Sequence, residues 1–173
     1  MNTLSENEKV HWLCTRWNPD LINKIVITLN QGLEIKSILE EVPQRDDIAP
    51  LPERFDLRGI DFSFQNLRGP WSVKNEERIR IGVNLKNADL SFANLTWAIL
   101  PRADFRRAVL RNASLTNAEL IFADFSEADL TDADMNGAWL LDTKFYGAKI
   151  KEEQLRTRRK LGQLDFDYRA YSM

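Results

Sequence analysis

The feature that most constrains this chain is a five-residue period that runs from residue 83 to residue 155. Large apolar residues, which we call centres, occupy every fifth position, and all 15 centres from Leu85 to Leu155 are apolar. The residue two positions before the centre is alanine in 12 of these 15 units. Because an α-helix repeats every 3.6 residues and a strand every 2, this period predicts a third geometry.

A short extended segment that ends in a turn explains each unit. Alternate side chains of an extended segment point to opposite sides, so the alanine and the centre face inward and the polar residue between them faces outward. The two remaining residues turn a corner. Such units stack as parallel segments about 4.8 Å apart, and each is stable only against its neighbours, which predicts a solenoid.

The spacing of phenylalanine predicts how many sides make one coil. From Leu85 onward, phenylalanine is a centre only at Phe105, Phe125 and Phe145, which lie four units apart. A coil of four units would stack these three rings on one wall. Apolar residues beside centres 100, 120 and 140 follow the same spacing. We therefore predict a coil with four sides.

Units such as Ala88-Asp89-Leu90, Ala103-Asp104-Phe105 and Ala128-Asp129-Leu130 resemble those of the pentapeptide-repeat family. The resemblance implies a right-handed quadrilateral parallel β-helix. The expected fold class is therefore mainly β, a pentapeptide-repeat solenoid with an N-terminal α-helical segment and a short C-terminal helical cap.

The repeat extends toward the N-terminus with one interruption. Leu57, Phe62 and Leu67 are also spaced by five, but their phase differs from that of Leu85. If Leu67 and Leu85 are consecutive centres, the chain between them contains an insertion. We expect three parts: a helical segment and linker over residues 1–50, the repeat coil over 51–157 with an inserted loop at 68–82, and a C-terminal cap over 158–173.

Apolar residues at helical spacing predict three amphipathic helices within the first 42 residues. Ser5 and Glu8 fit a capping box, and Pro19 and Gly32 fit the start and end of the second helix. A short basic helix is expected after residue 152. Both coil ends are expected to be capped, because a β-helix end exposes unpaired backbone groups. The three apolar stripes are Val10, Leu13, Cys14 and Trp17; Ile22, Ile25, Val26 and Leu29; and Ile35, Ile38, Leu39 and Val42.

Charge balance and cysteine content limit the class of protein. Lys and Arg number 24, Asp and Glu number 26, and the net charge is −2. Direct nucleic-acid binding is not expected, because it normally requires a basic surplus. The single cysteine cannot form an internal disulfide, the first ten residues do not resemble a signal peptide, and no apolar run is long enough to span a membrane. We expect a cytoplasmic protein that does not associate with membranes.

The residue types that support catalysis do not form a recognisable set. His11 is the only histidine, and it lies in a charged helical stretch. Cys14 lies on an apolar stripe, where a small core residue is expected. Asp129, Asp132 and Asp134 lie close together, but the repeat turns Asp129 and Asp134 outward as ordinary wall residues. We therefore expect no enzyme activity, no catalytic or metal-binding residues and no cofactor.

One outer wall of the predicted coil is apolar, and a contiguous apolar patch normally marks an interface. Three interpretations remain open: the chain's own helices fold back over this wall, a second copy binds it, or a foreign protein binds it. A homodimer through the C-terminal cap is a further alternative. The residues of this apolar wall are Trp97, Ile99, Pro101, Ile121, Phe122, Trp139 and Leu141.

Two further surface features are candidates for binding. Arg102, Arg106, Arg107 and Arg111 form either an anion patch or part of a structural charge ladder, in which Arg107 stacks on Glu127 one coil away. The inserted loop is either a protrusion that binds a partner or a lid over the first coil. Its candidate contact residues are Trp71, Lys74 and Arg78.

These observations favour a non-enzymatic protein–protein interaction module or scaffold, with a protein partner that the sequence does not identify. The alternative is mimicry of DNA toward DNA gyrase or another topoisomerase, as in the quinolone-resistance proteins of the family that this chain resembles. Outward positions from 84 to 157 carry 10 acidic and 9 basic residues. A wall so close to neutral does not imitate a duplex with one negative charge per about 1.7 Å.

Overall fold

The computed structural model describes residues 4–44, 48, 54–74 and 77–156. In chain order its elements are α1 (Glu6–Thr15), α2 (Pro19–Asn30), α3 (Lys36–Leu39), β1 (Trp71–Lys74), β2 (Glu77–Arg80) and α4 (Glu152–Arg156). The five-residue repeat lies between the helices. It forms single-residue parallel bridges rather than long strands.

The bridges confirm the four-sided coil. From Asn84 to Lys149 every parallel bridge joins residues 20 apart, such as Asn84 with Asp104. Each contact carries backbone hydrogen bonds in both directions: Leu85 donates to the carbonyl of Asp104 at 2.9 Å, and Asp104 donates to that of Val83 at 2.9 Å. Four units therefore complete one turn, and the backbone groups of one coil bond to the next.

We number the four faces by the centres that stack behind them. Face 2 follows face 1 along the chain, face 3 follows face 2, and face 4 returns to face 1, which lies opposite face 3. The centres are Leu57, Leu90, Leu110, Leu130 and Ile150 for face 1; Phe62, Leu95, Leu115 and Met135 for face 2; Leu67, Leu100, Leu120 and Leu140 for face 3; and Leu85, Phe105, Phe125 and Phe145 for face 4.

The interior of the coil is filled by centres and alanines. Phe105 and Phe125 stack with ring centroids 4.5 Å apart, and Phe125 and Phe145 stack at 5.5 Å, which confirms that one wall carries all three rings. Ala98, Ala118 and the equivalent alanines are buried. The small alanine leaves space for the large centres of the other walls, so the narrow tube reaches the close packing typical of protein interiors.

A side-chain cap at the polar position explains why Asp and Asn are common there. The carboxylate or amide oxygen accepts from the backbone N–H two residues later and fixes the turn that follows. At each corner, the residue three positions after the capping position lies in the left-handed region of backbone conformation. Asn112, with φ of 55°, is an example. The nine capping residues are Asp56, Asp61, Asn84, Asp89, Asn94, Asp104, Asp124, Asp129 and Asp134.

An insertion interrupts the coil at the corner between faces 3 and 4. Bridges across it join residues 33 apart instead of 20, such as Asn66 with Ile99. Gly69 and Gly82 flank the insertion and are stacked: a Cβ on Gly69 would lie 2.2 Å from the Gly82 carbonyl, and one on Gly82 would lie 2.0 Å from that of Arg102. Only glycine fits at such distances.

The residues between these glycines form an antiparallel hairpin of β1 and β2, in which Trp71 pairs with Arg80 and Lys74 with Glu77. Arg80 packs its guanidinium over the Trp71 ring at 4.4 Å and donates to the carbonyl of Gly69 at 2.7 Å. The hairpin is therefore anchored to the corner from which it emerges. The segment predicted as an inserted loop therefore contains two short strands.

The N-terminal helices cap the first coil. Leu21, Ile25 and Leu29 of α2 are buried and belong to the same apolar core as the centres of the coil. Asn30 donates to the carbonyl of Asn66 at 2.6 Å and accepts from the amide of Gly69 at 2.9 Å. The interpretation in which these helices fold over the apolar wall is therefore wrong: their apolar stripes cover the end of the tube.

A buried ion pair fixes α1 to the first coil. The side chain of Arg16 is 1% exposed, and its guanidinium lies 2.8 Å from the carboxylate of Asp56, which also binds Arg58. Burial alone would raise the pKa of Asp56, but hydrogen bonds from Arg58 and Arg16 outweigh it and hold the pKa below its usual value. Trp17 adds a hydrogen bond of 2.8 Å to the carbonyl of Arg58.

The helices differ from the sequence analysis in two details. The capping box of Ser5 and Glu8 is present, but the third predicted helix is a single turn, α3. Cys14 is exposed, so its predicted place in an apolar stripe is wrong. The buried neighbour is Leu13, and one step along a helix turns the next side chain away by about 100°.

The short helix α4 closes part of the other end. The amide of Gln154 donates to the backbone carbonyls of Leu130 and Ala133 at 2.9 and 2.7 Å. The Leu130 carbonyl also accepts from the Ala133 amide, so Gln154 mainly supplies the carbonyl of Ala133, whose equivalents in earlier coils accept from the next coil. The predicted basic residues Arg158, Arg159 and Lys160 and the tail from Phe166 to Tyr171 lie outside the described residues.

Candidate functional site

Face 3 differs from the other three faces at the capping position. None of the nine side-chain caps within the described residues lies on face 3. The bridging residues there are Asn66, Ile99, Glu119 and Trp139, which stack one above another. Pro101 has no N–H to be capped. Three consecutive coils of face 3 therefore carry residues that do not stabilise the local turn.

The apolar wall lies on face 3 and its two corners. Ile99, Pro101, Ile121, Trp139 and Leu141 are half-buried on the face. Trp97 and Phe122 stand at the corners, on opposite sides of the face, and are 41% and 42% exposed. The structure thus brings all seven residues together on one side of the coil.

Glu119 lies inside this wall, although the sequence pattern places it only among the outward acidic residues and not in the wall. It occupies the bridging position between Ile99 and Trp139, and its carboxylate lies 3.9 Å from the guanidinium of Arg68. The coil spacing contains the signal, because position 119 must stack on 99 and 139 when four units complete one turn. The wall is therefore apolar with a charged pair at its middle.

Trp139 retains an unsatisfied donor. Its indole N–H is buried and has no acceptor within the described part of the chain. A buried donor without a partner costs about 1–3 kcal/mol. The stability of the isolated coil therefore gives no reason for a tryptophan at position 139.

Aromatic residues also occupy strained corner positions beside face 3. Phe64, Trp97 and Phe122 have φ of 58°, 60° and 61°, a region where a bulky residue is a genuine outlier and Asn or Gly costs less. Phe64, which the sequence analysis overlooked, is 73% exposed and lies one coil below Trp97. Strain at exposed positions points to a role other than stability.

The four candidate arginines of the anion patch do not form one open cluster. Arg107 pairs with Glu127 at 2.8 Å, which confirms the predicted stacking. Arg106 pairs with Asp104 and Arg111 with Asp129 at 2.6 Å. Arg102 instead packs over the ring of Phe122 at 4.6 Å, on the edge of face 3. Three of the four positive charges are therefore already balanced by carboxylates.

On face 1, the carboxylate of Asp129 is paired with groups of its own chain. Asp129 caps the amide of Thr131 and accepts from Arg111, and Lys149 lies 3.6 Å away. Burial alone would raise the pKa of Asp129, but hydrogen bonds from Arg111 and Thr131 outweigh it and lower the pKa to about 2. This carboxylate therefore stabilises the coil to which it belongs.

The inserted hairpin carries a second exposed apolar group. Trp71, Val73 and Ile81 are all more than half exposed. Lys74 and Arg78 lie in β1 and β2, but their side chains are outside the described residues. The hairpin leaves the coil at the same corner as Arg102 and Phe122, because Gly82 stacks directly below Arg102. It therefore begins at the edge of face 3.

Other chemical groups are separate from this face. His11 and Cys14 lie on α1, and partial burial raises the pKa of the Cys14 thiol. Within the described ranges, no three His, Cys, Asp or Glu side chains are grouped so that they could hold a metal ion. No helix in the described part has the length and apolar character needed to cross a membrane.

Comparison with known proteins assigns the repeat. A family model described as pentapeptide repeats, in eight copies, matches residues 88–121 and 108–151. A comparison with curated protein sequences gives no match.

Solved structures of three pentapeptide repeat proteins are similar to parts of the chain. HetL of Nostoc, involved in heterocyst differentiation regulation, is 27% identical over 54% of this chain and 48% of its own, with a TM-score of 0.35. Rfr23 of Cyanothece is 25% identical over 57% of this chain and 85% of its own, with a TM-score of 0.36. A thylakoid-lumen protein of Arabidopsis thaliana is 31% identical over 54% of this chain and 59% of its own, with a TM-score of 0.28. The chain thus spans about half the length of HetL.

Proposed function

Because this chain belongs to the pentapeptide-repeat family, we propose that it is a non-enzymatic binding module, a right-handed coil that presents face 3 to a protein partner. The coil supplies a rigid support, since its backbone bonds run from coil to coil. Binding residues on a rigid scaffold lose little conformational entropy when they are bound.

The observation that carries this proposal is that face 3 makes no side-chain cap within the described residues, whereas each of the other three faces makes three. Asp or Asn at positions 119 and 139 would each satisfy a backbone amide, yet the chain has Glu119 and Trp139 there. The result is a contiguous apolar surface flanked by exposed aromatic side chains, which is the composition of an interface core.

Mimicry of DNA is not favoured by the charges of the outer faces. Several carboxylates on these faces pair with cations, as in Arg107 with Glu127 and Arg111 with Asp129, and the outward positions from 84 to 157 carry almost as many basic as acidic residues. We expect micromolar protein to leave the supercoiling activity of DNA gyrase unchanged, and inhibition or protection from quinolones in that assay would support the alternative.

A capture experiment tests the proposed module. Immobilised protein should retain a specific partner, and Ile121→Asp and Trp139→Asp should each abolish retention, because both place a charge within the apolar wall. The matched control is Val109→Asp, which adds a capping residue on face 1 and should bind like the wild type. Circular dichroism establishes that all variants are folded. Undiminished capture by both face 3 variants would contradict the proposal.

A further inference from the structure

We propose that the partner of face 3 is a second copy of this chain, bound with the two coils antiparallel. This inference rests on the proposed function, because it names the occupant of the same face. The order of charges and side-chain sizes along face 3 matches its own reverse.

An antiparallel pair has a two-fold axis in the interface, perpendicular to the coil axis. A column is a set of residues 20 positions apart that stack on successive coils. When the axis passes through Ile121 on the middle coil, each residue meets the residue of its own column that lies equally far on the other side of that coil. The residue 20 positions before the middle coil therefore meets the residue 20 positions after it. Each column of face 3 can be examined for this match.

The column at the corner between faces 3 and 4 matches in charge. It contains Arg102, Phe122 and Asp142, all exposed and all with positive φ. In the antiparallel pair Arg102 meets Asp142 of the other copy at both ends, and Phe122 meets Phe122. Within the described residues neither Arg102 nor Asp142 forms an ion pair in its own chain. Both charges are thus available for a second molecule.

The opposite corner and the face itself match in size. At the corner between faces 2 and 3, the bulky Trp97 meets Gly137, which has no side chain of its own, and the side-chain amide of Asn117 lies beside that glycine. On the face, large apolar residues meet apolar residues. The remaining matched pairs are Ile99 with Trp139, Pro101 with Leu141, and Ile121 with Ile121.

Glu119 is the one position that opposes this pairing, because it meets its own copy near the axis. Arg68 lies 3.9 Å from each Glu119 carboxylate and reduces the repulsion. This conflict gives a test in which a substitution improves association. Glu119→Gln should lower the dissociation constant, since it removes two like charges that face each other.

The diagonally opposite corner lacks such a match. Between faces 1 and 2 the equivalent column contains Phe92, Asn112 and Asp132, and reversal would place Phe92 against Asp132. A parallel pair of coils through face 3 would likewise place Arg102 against Trp97 of the same coil level instead of Asp142. The pattern therefore specifies both the face and the antiparallel direction.

Sedimentation of charge-reversed variants tests the proposal. The wild type should associate from 20.1 kDa to twice that mass as concentration rises. Arg102→Glu and Asp142→Arg should each raise the dissociation constant about tenfold, because each replaces two attractive pairs by like charges. An equal mixture of the two variants should form dimers as readily as the wild type. In the mixed dimer the two substituted side chains face each other with opposite charges, and the native Arg102 of one copy faces the native Asp142 of the other.

Matched controls occupy the same backbone conformation on the opposite corner. Asn112→Glu introduces the same acidic residue as Arg102→Glu, with a charge change of one unit instead of two, and Asp132→Arg repeats the change made by Asp142→Arg. Neither control should alter association. The new residues are compatible with these corners, because Arg107 and Glu127 already adopt φ of 59° and 61° at equivalent positions. Thermal unfolding of each variant confirms that the coil remains intact.

The results of these experiments distinguish a failure of the antiparallel pairing from a failure of the proposed binding role of face 3. A wild type that stays monomeric at several hundred micromolar, or a dimer that the reversals leave unchanged, overturns the antiparallel pairing. If a monomeric wild type still captures another protein and Ile121→Asp abolishes that capture, the binding role of face 3 stands and only the identity of the partner is wrong. Recovery in the mixture, without recovery in either variant alone, supports the pairing.

Discussion

Faces 1 and 3 are opposite sides of the same coil, and they use the same positions differently. On face 1, Asp56, Asp89 and Asp129 cap the turns that follow them, and Asp129 also binds Arg111. On face 3, Ile99, Glu119 and Trp139 occupy the same position and make no such cap within the described residues. The buried centres behind the two faces are equally apolar.

This difference shows that inward and outward residues are subject to separate requirements. The inward residues must fill a narrow tube, and every face does this with alanine and a large apolar centre. The outward residues can either stabilise the coil or recognise another molecule. Face 1 takes the first course at Asp56, Asp89 and Asp129, and face 3 takes the second. A local rule that one face breaks in all of its described coils is expected at a functional surface.

The largest effect should come from a residue that supports all four faces. Phe125→Ala removes the middle ring of the stack and should destabilise the protein by about 3–5 kcal/mol, because it leaves a cavity where neighbouring coils cannot collapse. Denaturant unfolding measures the change. If this variant weakened binding through face 3 without loss of stability, the separation of inward and outward roles would be wrong.

A pair of isosteric changes at equivalent positions sharpens the comparison. Asp129→Asn should cost about 1–2 kcal/mol in the free energy of unfolding, because it removes a buried charge that Arg111 and the Thr131 amide both bind. Glu119→Gln should change that free energy by less than about 0.5 kcal/mol. Urea titrations of both variants give the two values. Equal losses would remove the proposed contrast between the faces.

The pH dependence of stability should follow the carboxylate of Asp129. Its pKa in the folded protein is about 2, below the value of roughly 3.9 for an unfolded chain. A lowered folded pKa adds stability above pH 4 that is lost as the pH falls toward 2. The difference in unfolding free energy between the wild type and Asp129→Asn should therefore shrink over this range. A difference that stayed constant from pH 5 to pH 2 would contradict this assignment.

The sequence predicted the coil and its apolar wall well, because both depend on spacing alone. A residue that recurs every 20 positions must stack in a four-sided tube, and this placed Phe105, Phe125 and Phe145 correctly. The same rule could have revealed Glu119 between Ile99 and Trp139, and Phe64 below Trp97 once the length of the insertion is taken into account. Those omissions were failures to apply the period at every position.

The helical segment and the hairpin could not be predicted in the same way. The predicted apolar stripe of Ile22, Ile25, Val26 and Leu29 shows that the helix needs a partner, but not which of two apolar surfaces it will contact. In the structure the buried residues of this helix are Leu21, Ile25 and Leu29. The open end of the coil combines apolar centres with unpaired backbone groups, and Asn30 satisfies two of these. The hairpin segments are only four residues long and contain many charges, so their alternation was too weak to detect.

Disulfide capture tests the antiparallel pairing of two copies through face 3 most directly. In a Cys14→Ser background, Phe122→Cys places one thiol beside the proposed two-fold axis, whereas Asn112→Cys places it at an equivalent corner on the opposite side of the coil. A disulfide requires Cα atoms within about 7 Å. We expect mild oxidation to convert the Phe122→Cys protein to a covalent dimer and to leave the Asn112→Cys protein monomeric. Equal cross-linking of the two, or none in either, would contradict the antiparallel pairing through face 3.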